Sequence, residues 1–239
     1  MRQEDPRVTL AHSPVIAVLP AEIREEFVGK CRVRVYAPRE RICAIGDPVI
    51  GPTWYERGLL KACGQDDQGE EVSAGWFWSG DISLVGFPTL KEWPAELTAV
   101  APTTVVAIPE AIFAEFCDRS VDISLAWLAL VADHLRNRHR REAILRSLTL
   151  RPRLIALLRT ASNLLGTPTP EGILLDFPLT HTSLACGAWV SPDETGRAMR
   201  DLEAQGYFRS LPRHRILIPD CERLEHYQPK DAEELSAAG

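Results

Sequence analysis

The sequence predicts an α+β fold, with a β-rich N-terminal part, one long helix and a C-terminal winged helix-turn-helix. Three observations support this prediction. Short segments that alternate polar and apolar residues occur within residues 15–117, and residues 120–148 contain neither Gly nor Pro. A pattern of helix, tight turn and helix then occupies residues 179–202. With 239 residues, 45% of them hydrophobic, the chain can build one large domain or two small ones.

The N-terminal part contains several short strands. In residues 31–36 polar residues alternate with apolar or aromatic ones, which is the two-residue period of a half-buried strand. A turn is predicted at Gly46-Asp47-Pro48 and a polar hairpin loop at residues 64–69. Short strands at this spacing are typical of a small barrel or sandwich. The predicted strands are residues 31–36, 41–45, 58–63 and 97–108.

The predicted long helix has two apolar stripes. One stripe contains Ile123, Trp127, Leu130 and His134, at alternating spacings of four and three residues. The second stripe is formed by Val121, Leu125, Leu128, Ala132 and Leu135. Because a helix that is apolar on two sides must be covered twice, we expect the β-rich part on one side and the same helix of a second subunit on the other. We predict that Ile123, Trp127, Leu130 and His134 form this dimer interface; a buried helix in a monomer is the alternative.

Charge is unevenly distributed along the chain. The formal net charge is −6, but residues 134–221 carry +5, whereas residues 1–133 carry −8 and residues 222–239 carry −3. The basic residues of the middle block are arginines. An acidic chain can therefore still present a basic face to a polyanion, because local charge decides the field. A solvated helix face explains the same pattern equally well.

The helix, turn and helix pattern contains strong capping signals. Thr180 or Thr182 can cap the first helix, and Ser191 can cap the second in a capping box with Pro192 at its first position and Glu194 at its third. Two strands around a basic turn follow as a wing suited to phosphate contact. This arrangement places a second helix in the major groove of DNA. The inward residues of that helix are Thr195, Ala198, Met199 and Leu202, and the outward residues are Asp193, Glu194, Arg197 and either Arg200 or Asp201.

The chain also contains motifs of a known family. The C-terminal motifs are Leu184-Ala185, Val190-Ser191, Gly196-Arg197, Leu202-Glu203 and Gly206-Tyr207-Phe208. With them, the chain resembles the Crp/Fnr family of bacterial transcription regulators. The resemblance extends to a cyclic-nucleotide-binding-like β-roll through Arg39-Glu40-Arg41-Ile42, Gly58-Leu59-Leu60-Lys61, Gly75-Trp76-Phe77 and Gly80-Asp81. It implies a tail at 1–14, a β-roll sensory domain at 15–117, a dimerisation helix at 118–148, a winged helix-turn-helix at 149–222 and an acidic tail at 223–239.

The resemblance implies roles for individual residues. In the Crp/Fnr family the position of Arg197 contacts a guanine edge, for which the donor fork of arginine is suited. Glu194 and Asp193 lie where acidic residues accept hydrogen bonds from cytosine. Pro192 stands where the family usually has Arg, and Trp189 where a small residue makes the turn, so the usual consensus operator is not expected. Contacts to the DNA backbone are expected from Thr180, Thr182, Ser191, Arg200, Arg213, His214 and Arg215.

The family's effector pocket is degenerate in this chain. In the family, a Gly-Glu pair is followed by an Arg that neutralises the phosphate of a cyclic nucleotide. Here Gly80 and Asp81 are followed by residues 87–96 without any Arg, and Lys91 is the nearest cation. We therefore expect no cyclic nucleotide to bind at Gly80, Asp81 and Lys91.

No cofactor is expected. The six Cys residues are scattered without a C-x-x-C pair, which argues against a zinc site, an iron–sulfur cluster and a disulfide framework. A haem would need a ligand such as Cys63, His134 or His139, but a packed thiol or a surface His explains each of them better. Reduced thiols, an N-terminus without an apolar signal segment and the lack of a membrane-spanning apolar run together predict a cytoplasmic protein.

The sequence thus favours a homodimeric, DNA-binding transcription regulator. Its expected partners are a double-stranded DNA operator, a second copy of the chain, RNA polymerase and a small-molecule effector of unknown identity. The alternative is a small-molecule-binding β-roll protein whose winged helix mediates protein contacts. An enzyme is not expected, because the sequence contains no Gly-rich phosphate loop, no G-x-S-x-G and no H-E-x-x-H.

Overall fold

The computed structural model describes residues 2–3, 10, 13–17, 19–69, 71–83 and 90–227. Within these residues the fold is α+β, as predicted, with antiparallel strand pairs, a long helix and a C-terminal helix-turn-helix. The chain divides into two compact units. Unit 1 consists of residues 1–60 and 77–139, and unit 2 of residues 61–76 and 140–239. Most of the predicted tails at 1–14 and 223–239 lies outside the described residues.

Unit 1 contains strands from two sheets, together with helices. The helices are α1 (Pro14–Ala17), α2 (Ala21–Lys30), α3 (Glu110–Arg119) and the first part of α4 (Val121–Ser147). The strands are β1 (Arg2–Gln3), β2 (Arg32–Tyr36), β3 (Arg41–Cys43), β4 (Thr53–Arg57), β7 (Ile82–Ser83), β8 (Glu96–Ala99) and β9 (Thr103–Ala107). Between β4 and β7 the chain forms a hairpin of β5 (Leu59–Gln65) and β6 (Glu71–Trp78), most of which belongs to unit 2. The strand orders are β1-β2-β9-β4-β7 and β3-β8-β5-β6.

The predicted strand at residues 97–108 is two strands in the structure. β8 ends at Ala99 and β9 begins at Thr103. Pro102 lies in the gap and has no N–H group to donate to a sheet. The backbone N–H groups of Val100 and Ala101 instead both donate to the carbonyl of Leu59, at 2.8 and 3.1 Å. The chain therefore changes sheets at this point.

The core of unit 1 lies between the five-stranded sheet and helices α2, α3 and α4. Val33 on β2 pairs with Val106 on β9, and both side chains are buried. The ring of Phe27 packs edge-on against Phe116, with centroids 4.9 Å apart, and lies 6.3 Å from the ring of Trp127. Aromatic pairs of this geometry add about 0.5–1.5 kcal/mol beyond the area they bury. The helices are thus fixed to the sheet by large rings.

Helix α4 turns one of its two apolar stripes towards the core of unit 1. Ile123 and Trp127 are each 3% exposed and belong to the core of unit 1, where Trp127 packs against Phe113 at 5.2 Å. Leu130 packs against the same core, and His134 accepts a hydrogen bond from a backbone N–H of β7 at 3.3 Å. Ile123 and Trp127 therefore cover the chain's own core, whereas Leu130 and His134 are half-buried, and the assignment of these four residues to a dimer interface stays a prediction. The exposed side chains belong to the second stripe: Val121, Leu125, Leu128 and Leu135.

Unit 2 contains the C-terminal helices and a four-stranded sheet. The helices are the end of α4, α5 (Leu150–Leu165), α6 (His181–Ala188), α7 (Pro192–Ala204) and α8 (Cys221–Glu225). The strands β10 (Thr167–Thr169), β11 (Gly172–Leu175), β12 (Arg209–Leu211) and β13 (Arg215–Ile218) are ordered β10-β11-β13-β12. A short 3₁₀ turn, Pro212–His214, joins β12 to β13. The two strands and basic turn predicted as a wing are therefore present.

Helix α5 begins at Leu150, directly after Thr149. Pro152 lies in its first turn, where a missing N–H leaves no helical hydrogen bond unmade. Leu154 and Leu158 are fully buried, and Gly166 follows the last residue of the helix. Among the described residues, no helix is both long and apolar enough to cross a membrane.

Candidate nucleic-acid interface

The two helices of the helix-turn-helix begin at well-formed caps. Of the two predicted caps for α6, Thr180 serves: its hydroxyl accepts a hydrogen bond from the Ser183 N–H at 3.1 Å. Ser191 and Glu194 form the predicted capping box at the start of α7. The Ser191 hydroxyl accepts from the Glu194 N–H at 3.2 Å, and the Glu194 carboxylate accepts from the Ser191 N–H and hydroxyl at 3.1 and 2.6 Å. A cap of this kind stabilises a helix by about 1 kcal/mol.

The outward face of α7 carries two exposed arginines, Arg197 and Arg200. The predicted inward residues of α7 are all buried: Thr195, Ala198, Met199 and Leu202. Asp193 and Glu194 are exposed in the first turn. Hydrogen bonds from Ser191 hold the pKa of Glu194 below its usual value, so this carboxylate is ionised and engaged in the cap. Arg197 and Arg200 are thus the cationic donors that α7 presents beyond its cap.

Gly196 lets the two helices of the motif approach each other closely. A Cβ atom at Gly196 would lie 3.1 Å from Nδ1 of His181, the first residue of α6. Gly196 itself is buried on α7. His181 was not singled out in the sequence, since an exposed His at a helix start has no local signal. It packs beside the residue that precedes Arg197.

The turn between α6 and α7 is made by Trp189 in the left-handed conformation, with φ 55° and ψ 44°. The left-handed backbone conformation costs about 1–2 kcal/mol for a residue that has a Cβ atom. The N–H groups of Trp189 and Val190 donate to the carbonyls of Cys186 and Ala185, which ends α6 as a glycine would. The guanidinium of Arg146 lies 4.4 Å from the Trp189 ring centroid, a cation–π contact. Trp189, which stands where the Crp/Fnr family has a small turn residue, is therefore held in place by contacts of its ring.

Arg153 is half-buried and joins three segments of the chain like a clamp, although no sequence pattern marks it. Its guanidinium donates to three carbonyls at close range: Leu145 at 2.9 Å, Leu148 at 2.6 Å and Ala188 at 2.6 Å. Burial lowers the pKa of Arg153, but the group is an arginine and stays charged. One side chain thus joins the end of α4, the start of α5 and the end of α6. Its partners are remote in sequence, so no motif marks it.

The β5–β6 hairpin packs against α6 within unit 2. The indole N–H of Trp76 donates to the Ser183 carbonyl at 2.8 Å, and the Ser73 hydroxyl donates to the Cys186 carbonyl at 2.7 Å. A Cβ at Gly187 would lie 2.7 Å from the ring of Trp76, so only glycine fits beneath that ring. The hairpin therefore supports the first helix of the motif. The sequence predicted a hairpin but gave no reason to place it there.

The wing carries Arg213 and His214 at its tip. Both are exposed and adopt positive φ angles, 63° and 58°. Arg215 is engaged instead with the wing itself, because it forms an ion pair with Asp176 at 3.2 Å and donates to the Pro212 carbonyl. Among the described residues, Arg213 and His214 form no ion pair. The wing tip thus presents a cation and an imidazole to solvent.

Comparison with known proteins finds a family similar to the C-terminal segment. Residues 152–227 match the family of Crp-like helix-turn-helix domains. No curated protein matches the chain.

The wider fold is shared with solved regulators. FixK2 from Bradyrhizobium japonicum superposes with a TM-score of 0.63 at 16% identity, covering 84% of this chain and 99% of that one. A transcriptional regulator of the CRP family from Thermus thermophilus gives 0.64 at 20% identity, covering 80% and 94%. The c-di-GMP-responsive regulator CLP from Xanthomonas campestris gives 0.62 at 19% identity, covering 84% and 100%. The resemblance to the Crp/Fnr regulators is thereby confirmed, as a likeness of fold that includes their helix-turn-helix.

Among the described residues, the predicted effector residues Asp81 and Lys91 have different partners. Asp81 is buried and accepts a hydrogen bond from the Trp78 N–H at 2.8 Å. Its carboxylate also lies 3.9 Å from His134 Nδ1 and 3.9 Å from an Arg138 nitrogen, both on α4. Lys91 is exposed and pairs with Glu110 at 3.7 Å. Asp81 thus contacts α4 through both of these side chains. Residues 84–89, which lie between Asp81 and Lys91 in the sequence, are outside the described part of the chain.

A separate cleft of about 240 Å³ opens on unit 1. Its walls combine the apolar side chains of Tyr36, Trp93 and Val105 with two arginines, Arg32 and Arg34, from alternate positions of β2. This cleft does not include Gly80, Asp81 or Lys91. No sequence motif marks this cleft, because its lining comes from strands far apart along the chain.

The candidate haem ligands have other partners or surroundings in the structure. Cys63 is buried within unit 2, His134 contacts β7 and Asp81, and His139 is exposed. Over the described ranges, no three His, Cys, Asp or Glu side chains are grouped so that they could hold a metal ion. All six cysteines are free thiols.

Proposed function

We propose that the protein is a homodimeric transcription regulator that binds a near-palindromic DNA operator through α7. The observation that carries this proposal is the exposed face of α7, where Arg197 and Arg200 project from a helix fixed by its capping box. A helix-turn-helix of this type inserts the N-terminal part of its second helix into the major groove. The family match at residues 152–227 supports DNA as the partner.

Individual side chains divide into base-reading and backbone-contacting groups. Arg197 is the proposed base-reading residue, since its planar donor fork matches a guanine edge. Asp193 and Glu194 are the proposed acceptors for cytosine, with Glu194 restrained by Ser191. The proposed backbone contacts are Thr180, Thr182, Ser191, Arg200, Arg213, His214 and Arg215, and the pairing of Arg215 with Asp176 makes it the weakest of these.

The exposed stripe of α4 is the proposed dimer contact. Val121, Leu125 and Leu128 are 73%, 56% and 64% exposed, although Leu and Val prefer burial. A contiguous apolar row on a helix is covered most simply by the same row of a second copy. A two-fold dimer would carry two copies of α7, so its half-sites should lie about one helical turn apart, roughly 34–36 Å.

The proposed regulator has no cyclic nucleotide as effector and no haem or iron–sulfur cofactor. The engagement of Asp81 with α4 supports the first point, because a second anion beside a buried carboxylate would be repelled. RNA polymerase is the proposed protein partner at the promoter. The protein is proposed to act in the cytoplasm and to lack enzymatic activity.

Recovery of bound fragments from sheared genomic DNA, followed by sequencing, tests this function. We expect the recovered fragments to share a near-palindrome and a synthetic duplex of that sequence to compete better than a scrambled one. If the fragments share no sequence and duplex binding stays weak at low salt, DNA is not the partner. The alternative, a β-roll protein whose winged helix contacts other proteins, would then be favoured.

A further inference from the structure

The cleft on unit 1 carries two arginines that no described acidic side chain neutralises. Arg32 and Arg34 are exposed at alternate positions of β2, on the side of the sheet opposite to the core residue Val33. Within the described part of the chain, neither guanidinium forms an ion pair or a hydrogen bond. Arg119 of the same unit, by contrast, pairs with Glu26 at 2.7 Å. The cleft therefore presents two cationic donor groups to a ligand.

The floor beside the two arginines is apolar. In the pairing of β2 with β9, Arg32 lies opposite Ala107. In the same ladder Arg34 lies opposite Val105, which is 6% exposed. Residues directly opposite each other on paired strands project from the same face of the sheet. Ala107 and Val105 thus line the cleft next to the arginines, and Tyr36 continues the apolar surface along β2.

A second wall is formed by Trp93 and the turn that follows β3. The N–H of Trp93 donates to the carbonyl of Asp47 at 2.8 Å, and the N–H of Gly46 donates to the carbonyl of Trp93 at 2.9 Å. The N–H of Val49 donates to the carbonyl of Lys91, also at 2.9 Å. Because backbone hydrogen bonds hold both segments of this wall, the wall is preorganised, which lowers the entropic cost of binding.

The charge of the lining favours an anion. Among the lining residues of the described chain, Asp47 is the only acidic one. Its Oδ2 atom accepts a hydrogen bond from the Ala44 N–H at 2.7 Å, so this carboxylate is engaged in its own turn. Two guanidinium groups thus face one engaged carboxylate, and the local excess of positive charge attracts a negatively charged ligand.

From this arrangement we propose that the cleft binds a small aromatic carboxylate, whose carboxylate contacts Arg32 and Arg34 and whose ring packs against Trp93. Guanidinium and carboxylate groups form short, charge-assisted hydrogen bonds. Aromatic rings pack favourably in offset or edge-on contact. The cleft volume of about 240 Å³ lies below the roughly 300–1,000 Å³ of pockets for drug-sized ligands, which favours a ligand with a single ring system.

This inference does not depend on the proposed function. The cleft lies in unit 1, whereas the proposed DNA contacts lie in unit 2. Ligand binding is measured in the absence of DNA, so a failed titration leaves the test of DNA binding unchanged. The absence of an operator would likewise leave the titration valid.

Isothermal titration calorimetry of the full-length protein tests the proposal, with phenylacetate and indole-3-acetate as probes. Phenylacetamide and indole-3-acetamide keep the rings but lack the charge, and inorganic phosphate has charge without a ring. We expect one-to-one binding of at least one carboxylate, about tenfold or more tighter than its amide and than phosphate, because the charge-assisted hydrogen bonds need the anion. If neither carboxylate binds at millimolar concentration, or if the amide or phosphate binds as tightly, the proposal is overturned.

Three substitutions locate the bound carboxylate. Arg32→Gln and Arg34→Gln should each weaken the carboxylate by about tenfold and leave the amide unchanged, since one cationic donor is lost. Ala107→Leu fills the floor and should weaken both. Arg57→Gln is the matched control, because Arg57 is an exposed strand arginine of unit 1 outside the cleft. Far-UV circular dichroism checks that each variant is folded. Unchanged affinity in both cleft arginine variants, or an equal loss in Arg57→Gln, would place the binding elsewhere and overturn the proposal.

Discussion

The indole ring of Trp189 occupies the space that a side chain at Gly75 would need: a Cβ there would lie 2.9 Å from Trp189 Cζ2. A second pair lies next to it, in which α6 supplies the glycine and the hairpin supplies the tryptophan. A Cβ at Gly187 would lie 2.7 Å from the ring of Trp76. Each element of the contact therefore contributes one glycine and one tryptophan. Together the two pairs fit the β5–β6 hairpin to the end of α6.

Gly187→Ala tests this fit without a backbone effect, since Gly187 lies inside α6 and has no positive φ. The added methyl group would collide with the Trp76 ring, and overpacking of this kind costs about 1–3 kcal/mol of unfolding free energy. Urea denaturation followed by far-UV circular dichroism measures the change. Gly29→Ala is the matched control, because a Cβ at this helical position meets open space, and it should be neutral or stabilising. Equal effects of the two substitutions would show that the Gly187–Trp76 contact does not limit stability.

Arg153→Lys should destabilise the protein by about 2–4 kcal/mol. The planar guanidinium reaches the carbonyls of Leu145, Leu148 and Ala188 together, whereas a lysine ammonium cannot span all three. The free energy of unfolding, measured in urea, is the readout. Arg159→Lys, an exposed change on the same helix, serves as the control and should cost less than about 0.5 kcal/mol. A tolerated Arg153→Lys would mean that the clamp contributes no net stability.

Acid should unfold unit 1 partly through Glu26. Hydrogen bonds from Arg119, at 2.7 and 2.8 Å, and then from Lys30 lower the pKa of Glu26 from 4.5 to about 2. Since the folded-state pKa lies below the unfolded one, the ionised carboxylate contributes stability above pH 4.5 that is lost as pH falls through 2. Glu26→Gln should therefore flatten the decline of stability between pH 4.5 and 2, measured by urea titrations at several pH values. Glu22→Gln on the same helix should leave the decline unchanged.

Local signals predicted local features well. The capping box of Ser191 and Glu194 and the buried face of α7 follow from residues three and four apart, which the chain order already brings together. The fold class followed from the same kind of periodicity. Such signals cannot decide which of two apolar faces with the same spacing packs against the core. Helix α4 has two such faces. The sequence analysis placed Trp127 at the dimer interface, but Trp127 is buried in the core of unit 1 and Leu125 is exposed.

The features that were missed depend on residues far apart in sequence. Asp81 contacts His134 and Arg138 on α4, Arg153 reaches Ala188, and Trp76 lies on Gly187. None of these pairs has a fixed spacing, so a motif cannot mark them. Trp189 is informative in this respect: in the sequence it is a departure from a small turn residue, and in the structure Gly75 and Arg146 explain it.

Leu125→Glu and Leu128→Glu should convert the proposed dimer into monomers. Each places a carboxylate on the exposed stripe of α4, where burial against a second copy would leave the charge unpaired. Sedimentation velocity at micromolar concentration measures the mass. Arg140→Glu introduces the same charge about 100° round the helix from the stripe and should remain dimeric. Monomeric wild-type protein, or dimers in both Leu variants, would contradict a contact through this stripe.

Arg197→Ala and Arg213→Ala should affect DNA binding in different ways. Loss of Arg197 removes a base contact, so operator affinity should fall by about 1–3 kcal/mol per half-site while affinity for scrambled DNA changes little. Loss of Arg213 at the wing tip removes a phosphate contact, so both duplexes should weaken alike and the salt slope should fall by about one unit per contact. The measurement is a set of fluorescence anisotropy isotherms over a salt series, on the recovered operator and its scrambled counterpart.

Arg209→Ala is the control for these two substitutions. Arg209 is an exposed arginine of the same unit, but it pairs with Glu171 at 3.2 Å and is absent from the proposed interface. Its removal should change neither operator specificity nor the salt slope beyond a few tenths of a unit. If Arg197→Ala instead weakens operator and scrambled DNA equally, Arg197 contacts the backbone and another residue of α7 reads the bases. If Arg213→Ala leaves the salt slope unchanged, the wing tip does not touch phosphate and the contact surface is confined to α6 and α7.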